Sequence, residues 1–244
     1  MKFEVGQSVA HAARQGAQLI VEWSREAIAE RGRFVVALAG GESPRLVYEA
    51  LHQRRREVDW RGWEVFFGDE RAVSTHDPLS NQLMAEEALL TRVPLSADRV
   101  HPMFALGLDI EQAARDYDRE LRSVVGDPPV FDLVLLGIGR DGHTLSLPPM
   151  CGALAERERL VMALASPELD PPVDRLTFTP PVVWAARRVM VIVYGRAKAR
   201  ALKAALDGDD DRLRVPAQII REARGEVTVL LDEELARAVG RYVD

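Results

Sequence analysis

Residues 131–149 read FDLVLLGIGRDGHTLSLPP and decide the fold. The run 131–136 is short, mostly apolar and bounded by glycine, which predicts a buried β-strand and not a helix. Gly137, Gly139 and Gly142 then allow the backbone to turn sharply and to approach a ligand closely. A buried strand that ends in such a turn is a common way for a protein to present reactive groups.

The same turn contains Asp141 and His143, two residues apart. A carboxylate at this spacing can hold an imidazole in one tautomer and raise its basicity. The alternative is that the glycines only form a turn and His143 is an ordinary loop histidine, and His143 taken alone favours that alternative. The Gly-x-Gly pattern does not match the dinucleotide-binding fingerprint, because no third glycine stands where that pattern requires it.

Length and composition narrow the class of protein. The 244 residues can form one large α/β domain or two small ones. The net charge of −6 argues against nucleic acid as the main partner. No apolar run reaches membrane-spanning length and no signal-peptide pattern is present, so we expect no membrane partner and a cytoplasmic location. Cys151 is the single cysteine, so the sequence offers no disulfide framework and no thiolate metal cluster.

Strand and helix patterns alternate along the chain. We predict strands at residues 2–5, 34–39, 63–67, 131–136, 189–194 and 227–231, with weaker candidates at 100–104, 160–164 and, as an edge strand, 175–179. Helices are predicted at 8–32, from 43, from 80, and at 110–125, 180–186, 196–206 and 232–243. The alternation predicts an α/β fold with an open, mostly parallel, doubly wound (Rossmann-like) sheet and helices on both faces. We expect a single domain over residues 1–244 with a small additional lobe near residues 150–180.

The predicted strand 34–39 ends in residues 40–45, GGESPR. Ser43 is a good helix N-cap and Pro44 suits the first helical position. Free N–H groups at that helix start would form an anion site, to which Arg45 could add a positive charge. Glu42 opposes an anion unless it points away, and we expect it to face solvent or to pair with Arg45. A plain strand-turn-helix junction explains the stretch about as well.

The predicted strand 63–67 ends in residues 68–71, GDER, and Ser80-Asn81 then begins the next helix. Three charged residues after a strand often form a solvated loop. They are also the way in which an α/β protein places charge at the carboxyl edge of its sheet, where ligands bind. The loops at 40–45, 68–71 and 137–144 would meet at that edge.

Together these loops closely resemble 6-phosphogluconolactonases. That family typically has a Gly-Gly-Ser-Thr-Pro-type loop, an Asp-Glu-Arg followed by Ser-Asn, and a Gly-x-Gly-x-Asp-Gly-His-Thr-x-Ser-Leu-Phe-Pro segment. Residues 185–189 and 195–198 also look like that family's late strand and helix start, so the resemblance covers nearly the whole chain. The chain departs from the pattern at four positions, which are Glu42 for a small hydroxyl residue, Arg140 for an acid, Pro148 for Phe and Met150 for Gly.

The resemblance implies hydrolysis of 6-phospho-D-glucono-1,5-lactone to 6-phosphogluconate in the oxidative pentose phosphate pathway, without a metal or another cofactor. His143 would be the base, Asp141 would orient it, and Arg71 would stabilise the oxyanion or fix the substrate. The candidate substrate-binding residues are Gly40, Gly41, Ser43, Arg45, Asp69, Asn81 and Lys198. Which of Arg45, Arg71, Arg187 and Lys198 contacts the phosphate and which the oxyanion stays open, and we expect a monomer or weak homo-oligomer.

Two rival functions belong to other classes. The first is a sugar-phosphate isomerase or a glucosamine-6-phosphate deaminase of similar fold. That deaminase typically has a glutamate shortly after its Asp-Gly-His, and residues 144–148, TLSLP, contain no acid. A non-catalytic sugar-phosphate sensor usually has a DNA-binding helix-turn-helix, for which there is no room before Phe34. A degenerate, lactonase-like binding protein stays a lesser alternative because of the four departures.

Overall fold

The computed structural model describes residues 1–104, 107, 109–165 and 169–241. Its strands are β1 (Lys2–Gly6), β2 (Phe34–Leu38), β3 (Trp63–Phe67), β4 (Asp69–Arg71), β5 (Leu133–Leu136), β6 (Val161–Leu164), β7 (Arg175–Phe178), β8 (Arg188–Ile192) and β9 (Glu226–Asp232). Its α-helices are α1 (Val9–Arg31), α2 (Glu42–Gln53), α3 (Asn81–Ala88), α4 (Ile110–Val124), α5 (Pro180–Ala185), α6 (Ala199–Asp207) and α7 (Glu233–Ala238).

Six parallel strands form the main sheet in the order β1-β9-β8-β5-β2-β3. The central strands β2 and β5 are buried along their whole length. Parallel strands that are covered on both faces have no polar side to alternate with, so their sequences are continuous apolar runs such as FVVAL and LVLL. The predicted open, mostly parallel sheet is therefore confirmed.

The direction in which successive strands are added to the sheet reverses between β2 and β5. From β2 the chain moves to β3 at one edge, whereas from β5 it moves through β8 to β9 on the other side. Right-handed crossovers that run in opposite directions place their helices on opposite faces, so α1 and α2 cover one face and α6 covers the other. The contact between α1 and α2 agrees with this arrangement. Such a reversal opens a crevice at the carboxyl ends of the two strands, where ligands bind.

The long helix α1 has a polar signal at each end. The Ser8 hydroxyl accepts a hydrogen bond from the His11 N–H at 3.2 Å, which satisfies one of the free donors at the helix start. Gly32 adopts φ 75° at the other end, and its N–H donates to the Ile28 carbonyl at 2.8 Å. This left-handed cap turns the chain directly into β2 and explains why the predicted helix boundary at residue 32 was accurate.

A second sheet of three antiparallel strands, in the order β4-β7-β6, forms the predicted additional lobe. This sheet also contains residues 69–71, which lie outside the predicted range of 150–180. The prediction of 175–179 as an edge strand is wrong, because β7 is the central strand of this sheet. The strand predicted at 100–104 is also wrong, since that segment makes only an isolated bridge between Val100 and Val65.

The remaining predictions concern the last helix, membrane-spanning segments and the number of domains. The last helix was predicted to reach residue 243 but ends at Ala238, and residues 242–244 lie outside the described part of the chain. None of the helices formed by the described residues is long and apolar enough to cross a membrane. The expectation of a single domain over the whole chain stays a prediction.

Candidate active site

The loop after β2 places a helix start at the carboxyl edge of the sheet. Gly41 is the N-cap of α2, with φ 97°, and Glu42 is the first helical residue. The prediction of Ser43 as N-cap is therefore wrong, because the left-handed backbone that Gly41 allows begins the helix two residues earlier. The first N–H groups of a helix have no partner within the helix, so α2 directs its positive end at this edge.

Two buried side chains hold this loop in place. The Tyr48 hydroxyl donates to the Ala39 carbonyl at 2.8 Å and accepts from the Ala39 N–H at 2.9 Å. Asn81 packs so closely against Gly40 that a Cβ on Gly40 would lie 1.9 Å from the Asn81 Oδ1. The Asn81 amide also donates to the Asp69 carbonyl at 2.9 Å, which ties the loop after β2 to β4.

The three charged side chains of β4 lie on two different faces of the strand. Successive side chains of a strand point to opposite sides, so Asp69 and Arg71 share one face and Glu70 has the other. The Glu70 carboxylate accepts hydrogen bonds from the N–H groups of Asn81 and Gln82 at 2.7 Å each, and thereby caps α3. Burial raises the pKa of Glu70, while these N–H donors oppose the rise. Asp69 and Arg71 are left to line a cavity.

Arg71 and Arg175 lie directly opposite each other on β4 and β7. Both line the same cavity, and Arg175 is only 3% exposed. Burial, and next to it the charge of Arg71, lowers the pKa of Arg175. Within the described part of the chain the Nε atom of each guanidinium is buried without a hydrogen-bond partner. Two facing cations of this kind repel each other, and the charges of Asp69, Asp170 and Glu70 offset only part of the effect at Arg175, so an anionic ligand would stabilise the pair.

The segment after the histidine turn bonds to β4 and contributes one residue to the lining of the cavity. The Ser146 hydroxyl is fully buried and donates to the Asp69 carboxylate at 2.7 Å. Leu145 lines the cavity and adopts φ 54°, which is unusual for a residue with a side chain. Backbone strain of this kind is typical of functional sites, where the surrounding contacts enforce it.

The histidine turn itself has the predicted geometry. The Asp141 Oδ1 lies 2.7 Å from the His143 Nδ1, and the Gly139 N–H donates to the His143 carbonyl at 2.8 Å. Gly139 is required, because a Cβ there would lie 2.1 Å from the His143 Nδ1. Gly142 adopts φ 90°, a conformation that L side chains rarely take. The hydrogen bond from His143 lowers the pKa of Asp141 to about 2, so Asp141 is ionised at neutral pH.

Lys198 approaches the same turn from the short helical turn before α6. Its Nζ donates to the Ile138 carbonyl at 2.8 Å, which holds the ammonium group at the edge of the cavity. Burial, and next to it the charge of Arg140, lowers the pKa of Lys198, while Asp141 opposes the effect. The ammonium group keeps two further N–H donors for a ligand.

These elements enclose a cavity of about 180 Å³ at the point where the chain direction reverses. Of the predicted site residues it brings together Gly40, Gly41, Ser43, Asp69, Arg71, His143 and Lys198. Asp141 joins them through its hydrogen bond to His143. Among the described residues, no group of three or more His, Cys, Asp or Glu side chains is arranged to hold a metal ion.

Three predicted residues have other positions. Arg45 bonds the Glu49 carboxylate at 3.2 Å on the outer face of α2, so it does not pair with Glu42. Of the two expected positions, Glu42 has the solvent-exposed one, and it also lines the cavity. Asn81 is 2% exposed and acts on the backbone rather than on the cavity. Arg187 lies before β8, at the opposite edge of the sheet, where its Nε is 3.4 Å from the Asp132 carboxylate.

Sequence reasoning missed Arg175, Ser146 and Tyr48. One signal for Arg175 was available, since a lone arginine beside the apolar residues of RLTF has to be buried for a reason. Ser146 stands in the histidine segment but offers no pattern that separates a buried hydroxyl from an exposed one. Tyr48 looks like an ordinary core residue at helical spacing, and its hydrogen bonds depend on where Ala39 lies.

The fold and the cavity define an open α/β protein with a small, charged ligand site at the carboxyl edge of its parallel sheet. A family model described as glucosamine-6-phosphate isomerases/6-phosphogluconolactonase matches residues 7–229. The chain belongs to this family.

Individual relatives agree with this assignment. The chain is 41% identical over 213 residues to 6-phosphogluconolactonase from Synechocystis sp., covering 86% of each chain. It is 39% identical over 210 residues to 6-phosphogluconolactonase from Nostoc sp., covering 84% of this chain and 85% of the relative. The solved structure of 6-phosphogluconolactonase from Trypanosoma brucei superposes with a TM-score of 0.84 at 31% identity, covering 97% of each chain.

Proposed function

We propose that this protein hydrolyses 6-phospho-D-glucono-1,5-lactone to 6-phospho-D-gluconate, the lactone-opening step of the oxidative pentose phosphate pathway. The observation that carries the proposal is the pairing of His143 with Asp141 in a cavity that also contains two facing guanidinium groups, each with a buried Nε that has no hydrogen-bond partner among the described residues. A water-activating base next to sites for anionic oxygen atoms is what lactone hydrolysis requires. The names of the relatives support the same reaction.

The base is His143, and Asp141 is its positioning residue. Because Asp141 is ionised, it accepts a hydrogen bond from Nδ1–H and leaves Nε2 as the basic nitrogen. Nε2 removes a proton from a water molecule while the water oxygen bonds to the lactone carbonyl carbon. The ring C–O bond then breaks, and the imidazolium returns the proton to the ring oxygen.

The negative charge that develops on the carbonyl oxygen needs a positive group that is already in position. Arg71 lines the cavity, and its Nη1 is held by the Leu79 carbonyl at 2.5 Å. Because this guanidinium is already in position, little free energy is spent on moving it when the negative charge develops. We assign the oxyanion to Arg71 because it is less buried than Arg175 and its Nε still needs an acceptor.

The phosphate has a different set of groups. The start of α2 offers the free N–H groups of Glu42 and Ser43 and the positive end of the helix dipole. Lys198 and Arg175 add two charges on the other walls of the cavity. Arg175 and Arg71 would then contact the two anionic parts of one substrate, which removes the repulsion between the facing guanidiniums.

The test is the loss of freshly prepared 6-phosphogluconolactone with and without the protein, corrected for spontaneous hydrolysis. We expect a rate that is proportional to protein concentration and much lower with unphosphorylated gluconolactone. Glucosamine 6-phosphate is the matched control for the deaminase side of the family, and we expect no ammonia release from it because residues 144–148 contain no acid. Ammonia release without lactone hydrolysis would replace the proposal with that rival.

We place this activity in the cytoplasm, where sugar phosphates are metabolised, and in a monomer or weak homo-oligomer. Light scattering at the concentration of the assay tests the second statement. A stable oligomer that loses activity on dilution would contradict it.

A further inference from the structure

Glu42 is one of three carboxylates, with Asp69 and Asp170, that line a cavity also lined by the cations Arg71, Arg175 and Lys198. It is the first residue of α2, it lines the cavity, and its side chain is exposed where the cavity opens. In the described part of the chain it has no hydrogen bond or ion pair, because Arg45 is bonded to Glu49. Its charge therefore acts on whatever the cavity holds.

A simpler role for Glu42 is to complement the helix dipole, since acidic residues in the first turn stabilise a helix. That role is compatible with a side chain anywhere around the helix start. It does not require the carboxylate to line the same cavity as Arg175 and Lys198. The position of Glu42 thus has a consequence for the ligand besides its effect on the helix.

The hydrolysis changes the charge of the ligand. Water adds across the ring C–O bond, so that its oxygen bonds to the carbonyl carbon and the ring oxygen leaves as a hydroxyl group. The resulting carboxylic acid releases a proton at neutral pH. The product therefore has one more negative charge than the substrate, while the phosphate is the same in both.

We propose that Glu42 is a specificity-determining residue that weakens the binding of the carboxylate product relative to the lactone substrate, and so speeds product release. The inference rests on the proposed function, because it requires a reaction that creates an anion. The cations Arg71, Arg175 and Lys198 attract the new carboxylate as they attract the phosphate. A fixed negative charge at the opening of the cavity opposes this attraction, and it opposes it more for the ligand with more negative charge.

The test compares the KM for the lactone with the Ki for 6-phosphogluconate in the wild type and in Glu42→Gln. We expect the Ki to fall about tenfold and the KM about threefold, so that the ratio of KM to Ki rises about threefold. Calorimetric titration of 6-phosphogluconate measures product binding without turnover and should reproduce the fall in Ki. Circular dichroism confirms that the variant is folded.

Two further variants separate charge in the cavity from charge on the helix. Glu49→Gln removes the same charge from α2 at a residue outside the cavity, and we expect the ratio of KM to Ki to stay at the wild-type value. Glu42→Asp keeps the charge at the cavity and should also keep the wild-type ratio. A role of Glu42 in the helix alone would change stability in Glu42→Gln and leave the ratio unchanged.

A ratio of KM to Ki in Glu42→Gln that stays within twofold of the wild type overturns the inference. Equal falls in both constants overturn it as well, because Glu42 would then act on the phosphate that both ligands share. These outcomes leave the proposed function intact as long as the wild type hydrolyses the lactone. A wild type that binds 6-phosphogluconate but hydrolyses no lactone contradicts the proposed function and, with it, this inference.

Discussion

At the amino edge of the main sheet Arg31 and Arg187 both face the carboxylate of Asp132, whereas at the carboxyl edge Arg71 and Arg175 face each other. Arg31 reaches the Asp132 Oδ1 at 3.0 Å, and the Val35 N–H donates to the Oδ2 at 2.9 Å. Both oxygen atoms of this buried carboxylate therefore accept hydrogen bonds.

A third arginine at the amino edge is satisfied by the backbone. Arg33 donates to the Val124 and Val125 carbonyls at 2.8 and 3.0 Å, at the carboxyl end of α4. The last carbonyls of a helix have no partner within the helix and form its negative end, so a guanidinium is a suitable cap. The arginines at this edge close off a helix end and a buried carboxylate, which is a structural role.

The arginines at the carboxyl edge are compensated less completely. The Arg71 Nη1 donates to the Leu79 carbonyl at 2.5 Å and the Arg175 Nη2 to the Pro171 carbonyl at 2.9 Å. No carboxylate among the described residues forms an ion pair with Arg71 or Arg175, and a buried Nε of each is unsatisfied. Burial and the charge of Arg71 lower the pKa of Arg175, and the charges of Asp69, Asp170 and Glu70 oppose this without overcoming it. A buried charge that is only partly compensated lowers the free energy of unfolding, and a protein retains it where a ligand supplies the missing partner. The same residue type therefore indicates structure at one edge and function at the other, and the partner decides which.

The largest expected effect is on catalysis at the carboxyl edge. His143→Ala should lower kcat about 10²–10⁴-fold, the usual contribution of a general base, with little change in the free energy of unfolding. Steady-state hydrolysis measures the first quantity and urea unfolding the second, with circular dichroism as the probe. A variant with near wild-type turnover and an unchanged spectrum would remove His143 from the mechanism.

The next effect has opposite signs for activity and stability. Arg175→Met should lower kcat/KM about 10–100-fold, because the phosphate loses a charged hydrogen-bonding partner. The same change should raise Tm, since burial and Arg71 disfavour the charged form of Arg175 in the folded protein. Inorganic phosphate should raise the Tm of the wild type more than that of the variant. A lower Tm in Arg175→Met would show that this cation is compensated in the fold.

A substitution at the amino edge should lower stability and leave activity unchanged, the reverse of Arg175→Met. Asp132→Asn keeps the shape of the side chain but removes the charge that Arg31 and Arg187 share, so the free energy of unfolding should fall by about 2 kcal/mol. Urea unfolding measures this change, and kcat/KM of the folded variant should equal that of the wild type. A loss of kcat/KM at unchanged stability would assign Asp132 to the active site and break the comparison.

Local patterns were enough to predict the carboxyl edge in outline. The apolar runs of β2 and β5 required buried parallel strands, and the loops that follow such strands have to meet at one edge. The contact between Asp141 and His143 was also predictable, because both residues lie in one glycine-rich turn and their distance depends on local backbone alone. Ser80 was predicted as the cap of α3, and its hydroxyl accepts from the Leu83 N–H at 3.1 Å.

The features that the sequence could not reveal depend on contacts between distant segments. Residues 69–71 look like a loop by composition, and they form a strand because Asp69–Arg71 pairs with Arg175–Thr177 far along the chain. The same pairing brings Arg175 opposite Arg71 and creates the unpaired cations of the site. The sequence leaves Arg187 among four candidate cations for a related reason, since only the fold shows that one residue before β8 already places a side chain at the amino edge.

The smallest expected effect belongs to Arg187, and it tests whether an arginine at the amino edge matters to the cavity at all. Its guanidinium is half exposed, and its Nε lies 3.4 Å from an Asp132 oxygen that Arg31 already occupies. An exposed ion pair contributes about 0.2–1 kcal/mol, so Arg187→Gln should lower the free energy of unfolding by less than about 1 kcal/mol. Arg31→Gln is the matched comparison. It should lower the free energy of unfolding more than Arg187→Gln does, because Arg31 is less exposed and has two nitrogen atoms at 3.0 Å from the carboxylate. Both variants should keep the wild-type KM and kcat. A KM for the lactone that rises tenfold in Arg187→Gln alone would place part of the substrate site at the amino edge, and the contrast between paired and unpaired arginines would no longer separate structure from function.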